Sequence, residues 1–215
     1  MTGILIAQAL ALLGLAIAVV GIGLRWRELR LRPLPIDRTP AKGSPGRGVA
    51  YAFTLGMAPW AKESTRLHAV SYLRGVGFHL AVFLGLAAAA VSPWWPAIPE
   101  QVRVGAAVVL ALGAILGAGG SIMRLMEPHL RSVSIPDDHF AVAFVTLFLI
   151  VTGLALWNAA FTVPMYVVTA LMLAYIPLGK IRHCLYFFVS RVFFGRFVGR
   201  RGVLPHPAPL EARGL

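Results

Sequence analysis

Residues 62–91 read KESTRLHAVSYLRGVGFHLAVFLGLAAAAV, which places two imidazoles and a guanidinium in an otherwise apolar run. From Val70 to Val91 the run is long enough to cross the roughly 30 Å of bilayer hydrocarbon as a helix. His68 and His79 are eleven residues apart, and a helix of 3.6 residues per turn directs both rings to one side. Ionisable groups at such a depth are costly unless they are satisfied, and they usually serve a function.

Two interpretations of this histidine pair are open. Imidazoles stacked on one face, at two depths, are able to present axial ligands to haem from the interior of a helix bundle. The alternative is that His79 is a packing residue that forms a hydrogen bond with a neighbouring helix. We favour the ligand interpretation because intramembrane ionisable residues are rare and mostly functional.

The composition is that of a membrane protein. The 215 residues are 58% apolar and only 13% charged, and the mean hydropathy is +0.77, which excludes an ordinary soluble domain. The net charge of +12 does not indicate nucleic-acid binding, because the basic residues lie between the apolar runs. The single cysteine, Cys184, excludes an intramolecular disulfide and cannot by itself hold an iron–sulfur cluster.

Five apolar runs predict an all-α bundle of five transmembrane helices. We expect one membrane domain over residues 1–202, followed by a tail over residues 203–215. The first run is too long for a signal peptide and has no basic segment before it, so we expect it to be retained as a span. The runs are residues 4–24, 70–91, 104–122, 140–157 and 163–178.

The charge between the runs predicts their orientation. Eighteen of the twenty Lys and Arg residues fall in the loops 25–68 and 121–139 and in the segment 179–215. Because excess basic charge stays on the cytoplasmic side, we expect the N-terminus outside and the C-terminus inside. The predicted location is the inner (cytoplasmic) membrane of the cell, which the chain crosses several times.

The loops carry weaker signals. Residues 25–48 are rich in Pro, Gly and Arg, so we expect them to run over the surface or along lipid headgroups, as a topology signal more than a docking surface. Residues 49–66 are more apolar, and Trp60 suits the membrane surface. On the opposite side, Trp94 and Trp95 lie between prolines and predict an interfacial anchor.

The segment SVSIPDDHF, residues 132–140, has the chemistry of a helix start. Ser134 is a candidate cap and Pro136 suits the first turn. The carboxylates of Asp137 and Asp138 are favoured by the positive end of the helix dipole, and simple capping explains them. His139 follows at the membrane boundary, where solvation by headgroup water is favoured over contact with a haem propionate or a partner.

Residues 180–202 form an amphipathic basic segment. Pro177 and Gly179 interrupt the fifth run, and beyond them aromatic residues alternate with arginines. The segment either lies on anionic membrane lipid or forms a dock for a cytoplasmic subunit. The sequence favours neither over the other.

His183, just past the fifth run, is the natural counterpart of His68 by depth, and the two would hold one haem near the cytoplasmic face. A rival pairing joins His183 to His79 if the membrane boundary falls near Arg74. The guanidinium of Arg74 suits a haem propionate through charge-assisted hydrogen bonds, or it reaches the headgroups by extending along the helix. We prefer the first pairing slightly.

A second, deeper haem requires another ligand opposite His79. Met165 and Met172 lie eighteen and eleven residues before His183, close to its direction on a continuous helix. Thioether sulfur ligates haem iron in some proteins. Methionines at helical spacing are more often core filling, however, so packing is the favoured interpretation of both.

Three stretches resemble a known family: GMAPWAKESTRLHAVSYLRGVGFHLAVF, SIPDDHF with the apolar run after it, and IPLGKIRHCLYFFVSRVFFGRFVGRRG. They are similar to the membrane cytochrome b subunits of the nitrate reductase gamma superfamily. The likeness is greatest to the branch found with heterodisulfide-reductase-like and sulfite-reductase-linked membrane complexes and with some membrane-bound hydrogenases. It extends over about residues 56–202.

This resemblance implies a five-helix subunit with one or two haem b groups that exchanges electrons between membrane quinone and a cytoplasmic iron–sulfur subunit. It implies ligand roles for His68, His79 and His183. Where the family has a second histidine on its fifth helix this chain has Met165, which leaves the number of haems open. Arg103 resembles in placement a basic residue near the family's quinone pocket.

Two functional hypotheses therefore stand. The first is electron transfer by a quinone-reactive cytochrome b subunit of an oxidoreductase complex. The second is a haem-free membrane anchor or an ion- or proton-path subunit whose histidines carry protons or metal. A visible spectrum of the purified protein distinguishes the two.

Overall fold

The computed structural model describes residues 2–32, 37–61 and 63–204, with the backbone alone at residues 63 and 64. No strand is found in these ranges. The helices are α1 (Thr2–Leu31), α2 (Pro45–Phe53), α3 (Glu63–Leu67), α4 (Ala69–Ala90), α5 (Glu100–Met126), α6 (Pro128–Ser132), α7 (Pro136–Trp157), α8 (Thr162–Tyr175) and α9 (His183–Arg201). Short 3₁₀ turns lie at Leu55–Met57, Pro59–Ala61, Ser92–Ala97, Ala159–Phe161 and Lys180–Arg182.

Within the described ranges, four helices are long and apolar enough to cross a membrane, namely α1, α4, α5 and α7. The chain is thus an all-helical, multi-pass membrane protein, as its composition predicts. The predicted fifth span is shorter than expected, because α8 has 14 residues and reaches only about 21 Å at 1.5 Å per residue. A fifth crossing requires the broken pair Ala159–Tyr175 and Lys180–Arg201 to act as one span.

The break after α8 lies where the prolines and glycines of the sequence place it. α8 ends at Tyr175, and Pro177 and Gly179 occupy the turn before α9. Other ends differ from the apolar runs. α1 continues to Leu31, past the predicted end at residue 24, because residues 25–31 contain good helix formers and no proline. α7 begins at Pro136, four residues before its apolar run.

The contacts divide the chain into two compact units. The first unit comprises Met1–Leu29 and Val70–Arg182, and the second comprises Arg30–Ala69 and His183–Leu215. The sequence predicts a single membrane domain over residues 1–202. The contacts instead separate these residues into two units, each with its own packing.

The first unit is a bundle around large buried side chains. Phe148 and Leu149 of α7 and Leu110 of α5 have no exposed surface. Small residues let the helices approach them: a Cβ added at Gly113 would overlap Ala81 of α4, and one added at Gly85 would lie 2.9 Å from the Phe148 ring. This agrees with the interpretation of the third apolar run as a close-packing surface.

The second unit is built on the pair α2 and α9. Gly48 of α2 is buried against Gly195 and Gly199 of α9, and a Cβ added at Gly48 would overlap the Gly195 carbonyl oxygen. Gly195 and Gly199 form a Gly-xxx-Gly pattern, the spacing that lets two helix backbones meet. Beside them, the Phe53 ring stacks on Phe188 at 6.1 Å between centroids.

The loop before α2 is exposed at residues 38–44, and hydrogen bonds tie it to the end of α9. The Arg200 carbonyl accepts hydrogen bonds from the backbone N–H groups of Lys42 and Gly43, at 2.8 and 3.0 Å. The Arg201 guanidinium donates to Asp37 at 2.8 Å. The Thr39 hydroxyl and N–H, followed by Arg201, hold the pKa of the Asp37 carboxyl below its usual value. Residues 33–36 of the loop lie outside the described ranges.

Candidate functional site

His79 is exposed on α4, and one of its ring nitrogens is oriented by the backbone. Its Nδ1 lies 2.7 Å from the Gly75 carbonyl oxygen, one helical turn earlier. A carbonyl oxygen only accepts, so in this contact Nδ1 carries the proton, and Nε2 is the nitrogen that a neutral imidazole in this tautomer would use as a ligand. Histidines that ligate metals commonly donate the other ring N–H to a carbonyl in this way, which fixes the tautomer and the ring.

The surface around His79 has room for a flat group. α4 packs through its opposite side, where Ala81, Gly85 and Ala88 are buried. A Cβ added at Gly75 would meet no atom within 4 Å, and Phe83 is 64% exposed. The face that contains Gly75 and His79 is therefore open along about one turn of helix.

Arg74 lies against α5. Its Nη1 donates to the Met123 sulfur, and a Cβ added at Gly120 would lie 3.5 Å from its Nε. The guanidinium therefore has a partner inside the first unit. Its predicted role beside a haem propionate stays a prediction.

His68 and His183 are both exposed and belong to the second unit. His68 occupies the turn between α3 and α4, and His183 is the first residue of α9. His79 belongs to the first unit. The sequence prediction that His183 follows an interrupted helix is confirmed, since a turn and one short 3₁₀ element separate it from α8.

Met165 and Met172 are core residues of the first unit. Met165 has no exposed surface and Met172 is 3% exposed. Both belong to the same cluster of buried side chains as Phe148 and Leu149. Their environment differs from that of His79, which is exposed, and it suits the favoured interpretation of both methionines as packing.

A chain of hydrogen bonds that the sequence analysis missed joins three parts of the first unit. Gln8 of α1 donates to the Tyr166 hydroxyl of α8 at 3.0 Å, and that hydroxyl lies 2.6 Å from the Ser92 hydroxyl. Ser92 is 2.6 Å from the Ala89 carbonyl. Because that carbonyl takes the Ser92 proton, Tyr166 donates to Ser92. The signal was a glutamine inside the first apolar run.

At the start of α7 the two acidic residues do more than cap a helix, so the prediction of simple capping is incomplete. Asp138 is buried, accepts the Ile135 N–H at 3.0 Å and forms an ion pair with Lys180 at 2.6 Å. Asp137 accepts a hydrogen bond from the Tyr175 hydroxyl. These contacts join the start of α7 to the break after α8.

The predicted cap at Ser134 is wrong. The N-cap of α7 is Ile135, and Pro136 takes the first helical position as expected. Ser134 donates instead to the Leu130 carbonyl at 2.7 Å and accepts from Arg124 at 3.3 Å. The carboxylate of Asp138 reaches the Ile135 N–H and leaves no such role for Ser134. His139, the residue after Asp138, is half-buried.

Arg103 lies in the first turn of α5. It is half-buried, and its Nε is enclosed without a hydrogen-bond partner among the described residues. An enclosed guanidinium nitrogen with unused hydrogen-bonding capacity is unusual in a folded protein.

No group of three or more His, Cys, Asp or Glu side chains suited to a metal ion occurs among the described residues. Comparisons of the chain with family models, with curated proteins and with solved structures give no match.

Proposed function

We propose that this chain is a haem b-containing membrane subunit of an oxidoreductase complex, which passes electrons between membrane quinone and a cytoplasmic iron–sulfur partner. The carrying observation is the 2.7 Å contact between His79 Nδ1 and the Gly75 carbonyl. This contact orients the imidazole as in many metal-ligating histidines, and His79 belongs to a helix long and apolar enough to cross a membrane, which supports the proposal. The resemblance of the three sequence stretches to the nitrate reductase gamma superfamily supports the same proposal.

The residues around His79 fit an axial ligand. The Gly75 carbonyl holds the proton on Nδ1, which leaves Nε2 as the basic atom and raises its basicity. The missing side chain at Gly75 leaves space beside the ring. A bound haem would supply one-electron redox chemistry, and the Gly75 carbonyl would keep the imidazole oriented.

His68 and His183 are the other proposed ligands, paired as the sequence analysis prefers. Arg103 remains the candidate for quinone binding, because its enclosed Nε has hydrogen-bonding capacity to offer to a quinone oxygen. The iron–sulfur partner is expected to dock on the basic residues before and within α2, among them Arg38, Lys42 and Arg47, all exposed.

A visible spectrum tests the proposal directly. The full chain, purified in detergent, should show b-type α and Soret bands after reduction with dithionite. The haem should be extractable, because the chain contains no Cys-x-x-Cys-His attachment motif. A folded but colourless preparation would overturn the proposal.

Variants identify the ligands. His79→Ala and His183→Ala should each lower the haem-to-protein ratio in a pyridine haemochrome assay, because each removes a proposed axial imidazole. Met165→Leu, nearly volume-conserving, should leave the ratio unchanged. The matched control is His129→Ala, since His129 is exposed on α6 and pairs with Glu127 at 3.2 Å. Full haem in both histidine variants contradicts the ligand assignment.

A second candidate is a haem-free anchor subunit, and one observation favours it. His68, His79 and His183 are all exposed instead of enclosed in the apolar core, so they are equally placed to contact another subunit. A folded, colourless protein that co-purifies with partner subunits would support this candidate.

A further inference from the structure

We propose that α9 lies in the membrane interface as an amphipathic helix, with its exposed aromatic face among negatively charged lipid headgroups. The inference concerns the second unit alone and does not depend on haem.

One face of α9 is closed by α2. Gly195 and Gly199 are buried there, and Gly48 of α2 lies against both backbones. This contact uses the small residues of α9 together with Phe187 and Phe188, whose rings contact Phe53 of α2, so the other aromatic side chains of the helix are left to other faces. The close approach of the two backbones orients α9 about its own axis.

The opposite face of α9 is aromatic and exposed. Tyr186, Ser190, Phe193 and Phe197 recur at intervals of four, three and four residues, which places them on one side of a helix. Tyr186 is 36%, Phe193 53% and Phe197 45% exposed. Phe194, beside them, is 41% exposed. Such a row of aromatic rings is unusual for a surface that faces only water.

The α2 and α9 pair carries basic charge, of which Arg196 lies toward the edge of the aromatic face and Arg191 lies over the Phe187 ring, nearer the side that α2 covers. α9 contains four arginines and no acidic residue, and α2 contains one arginine and no acidic residue. Arg200 and Arg201 bind the Thr39 carbonyl and Asp37. Arg191 and Arg196 form no ion pair with any residue that the structure describes. The α2 and α9 pair thus offers positive charge beside apolar rings.

A lipid surface matches both properties. Amphipathic helices that lie in the interface combine aromatic residues on one face with Lys or Arg at its edges, and anionic headgroups attract basic residues next to a membrane span. α9 begins eight residues after α8 ends, in a chain that crosses the membrane several times. Tyrosine is also enriched at headgroup depth, and Tyr186 belongs to the exposed row.

Spin-label accessibility tests the placement in the full chain. On a Cys184→Ser background, which removes the only cysteine, a nitroxide is attached at Phe193→Cys or Tyr186→Cys. Lys42→Cys, in the exposed loop before α2, is the control. In vesicles that contain phosphatidylglycerol, the ratio of oxygen to aqueous nickel-complex accessibility should be several-fold higher at the two aromatic positions than at the control.

Three results are distinguishable. High oxygen accessibility supports the proposal, because oxygen concentrates in the bilayer. High nickel accessibility at both positions overturns it, since the face would then be in water. Protection from both reagents also overturns it, because the face would then be covered by protein, either a partner or a second copy.

A second pair of samples tests the charge. The ratio at Phe193→Cys should fall when phosphatidylglycerol is replaced by phosphatidylcholine, and Arg191→Gln with Arg196→Gln should abolish this dependence on lipid. Arg200 and Arg201 are left unchanged because they hold the loop. Equal ratios in the two lipids, with Arg191 and Arg196 intact, would contradict a role for anionic headgroups.

Discussion

The two units of this protein both pack helices closely at glycines, and they differ in what else is buried. In the first unit small residues such as Gly113 let the helices close around large side chains, and Phe148 and Leu149 have no exposed surface. In the second unit the buried residues of α2 and α9 are Gly48, Ala52, Gly195 and Gly199, so backbones meet directly. Removing a large buried side chain should therefore cost most in the first unit, whereas the second unit, whose buried α2 and α9 residues are all small, should respond chiefly to added volume.

The largest expected effect is on the first unit. Phe148→Ala removes a fully buried ring and should lower the free energy of unfolding by about 3–5 kcal/mol. Phe83→Ala makes the same change on α4 at a residue 64% exposed and should cost under about 0.5 kcal/mol. Unfolding in mixed micelles with increasing denaturing detergent measures both. Equal costs would contradict the packing described for Phe148.

The second unit should respond to a gain of volume. Gly48→Ala places a methyl group on the Gly195 carbonyl, and should cost about 1–3 kcal/mol because a backbone atom cannot move aside as a side chain does. Gly46→Ala, on the same helix, meets only Ser44 Oγ at 3.9 Å and should instead gain up to about 1 kcal/mol of helix stability.

Amide hydrogen exchange of the protein in nanodiscs measures the effect of these glycine variants on each helix separately. Gly48→Ala should speed exchange across α2 and α9 and leave α5 and α7 unaffected, since those helices belong to the first unit. Unchanged protection of α9 in Gly48→Ala would mean that the backbone contact does not hold the second unit together.

An intermediate effect on the free energy of unfolding is expected at the ion pair between Asp138 and Lys180 in the first unit. Lys180→Met leaves the buried Asp138 carboxylate without its cation and should cost about 1–3 kcal/mol, toward the lower end because Lys180 is half exposed. Asp138→Asn together with Lys180→Met should recover part of the loss. The matched control is Arg131→Met, an exposed basic residue on α6. Detergent unfolding compares all of them.

The smallest expected effect is on the pKa of the Asp37 carboxyl in the second unit. Asp37 has a lowered pKa, so the stability that it contributes is complete above the ordinary carboxyl pKa of about 3.9 and is lost as pH falls through the lowered value. Thr39→Val removes the hydroxyl donor and should raise the Asp37 pKa more than Arg201→Gln does, because the Thr39 hydroxyl is the largest cause. A carboxyl carbon NMR titration measures both. The reverse order would contradict the assignment.

The sequence predicts the first unit better than the second. Apolar length alone locates α1, α4, α5 and α7, because a span must satisfy its backbone within a helix. The proline and glycine at positions 177 and 179 likewise locate the break after α8. The packing of α2 against α9 was not predicted, because glycine adds little to apolar periodicity. The partner residues Gly48 and Gly195 are also 147 positions apart in the sequence.

The candidate site was predictable in its residues and not in its surroundings. The type and spacing of His68, His79 and His183 single them out, whereas the Gly75 carbonyl behind His79 is invisible in a residue pattern, since any residue has a carbonyl. Likewise Gln8 gains meaning only from Tyr166 and Ser92. Such contacts depend on which helices become neighbours, and apolar runs do not specify neighbours.

The hydrogen bond from Gln8 to Tyr166 also bears on the time at which the chain is made. Its two residues are 158 positions apart, and at about 5–20 residues per second of synthesis Tyr166 follows Gln8 by roughly 8–30 seconds. Gly14 and Gly21 of α1 likewise contact Ala170 and Pro177. Among the described helices α1 is therefore synthesised well before α8, and the Gln8 amide is without its native partner until α8 has been made.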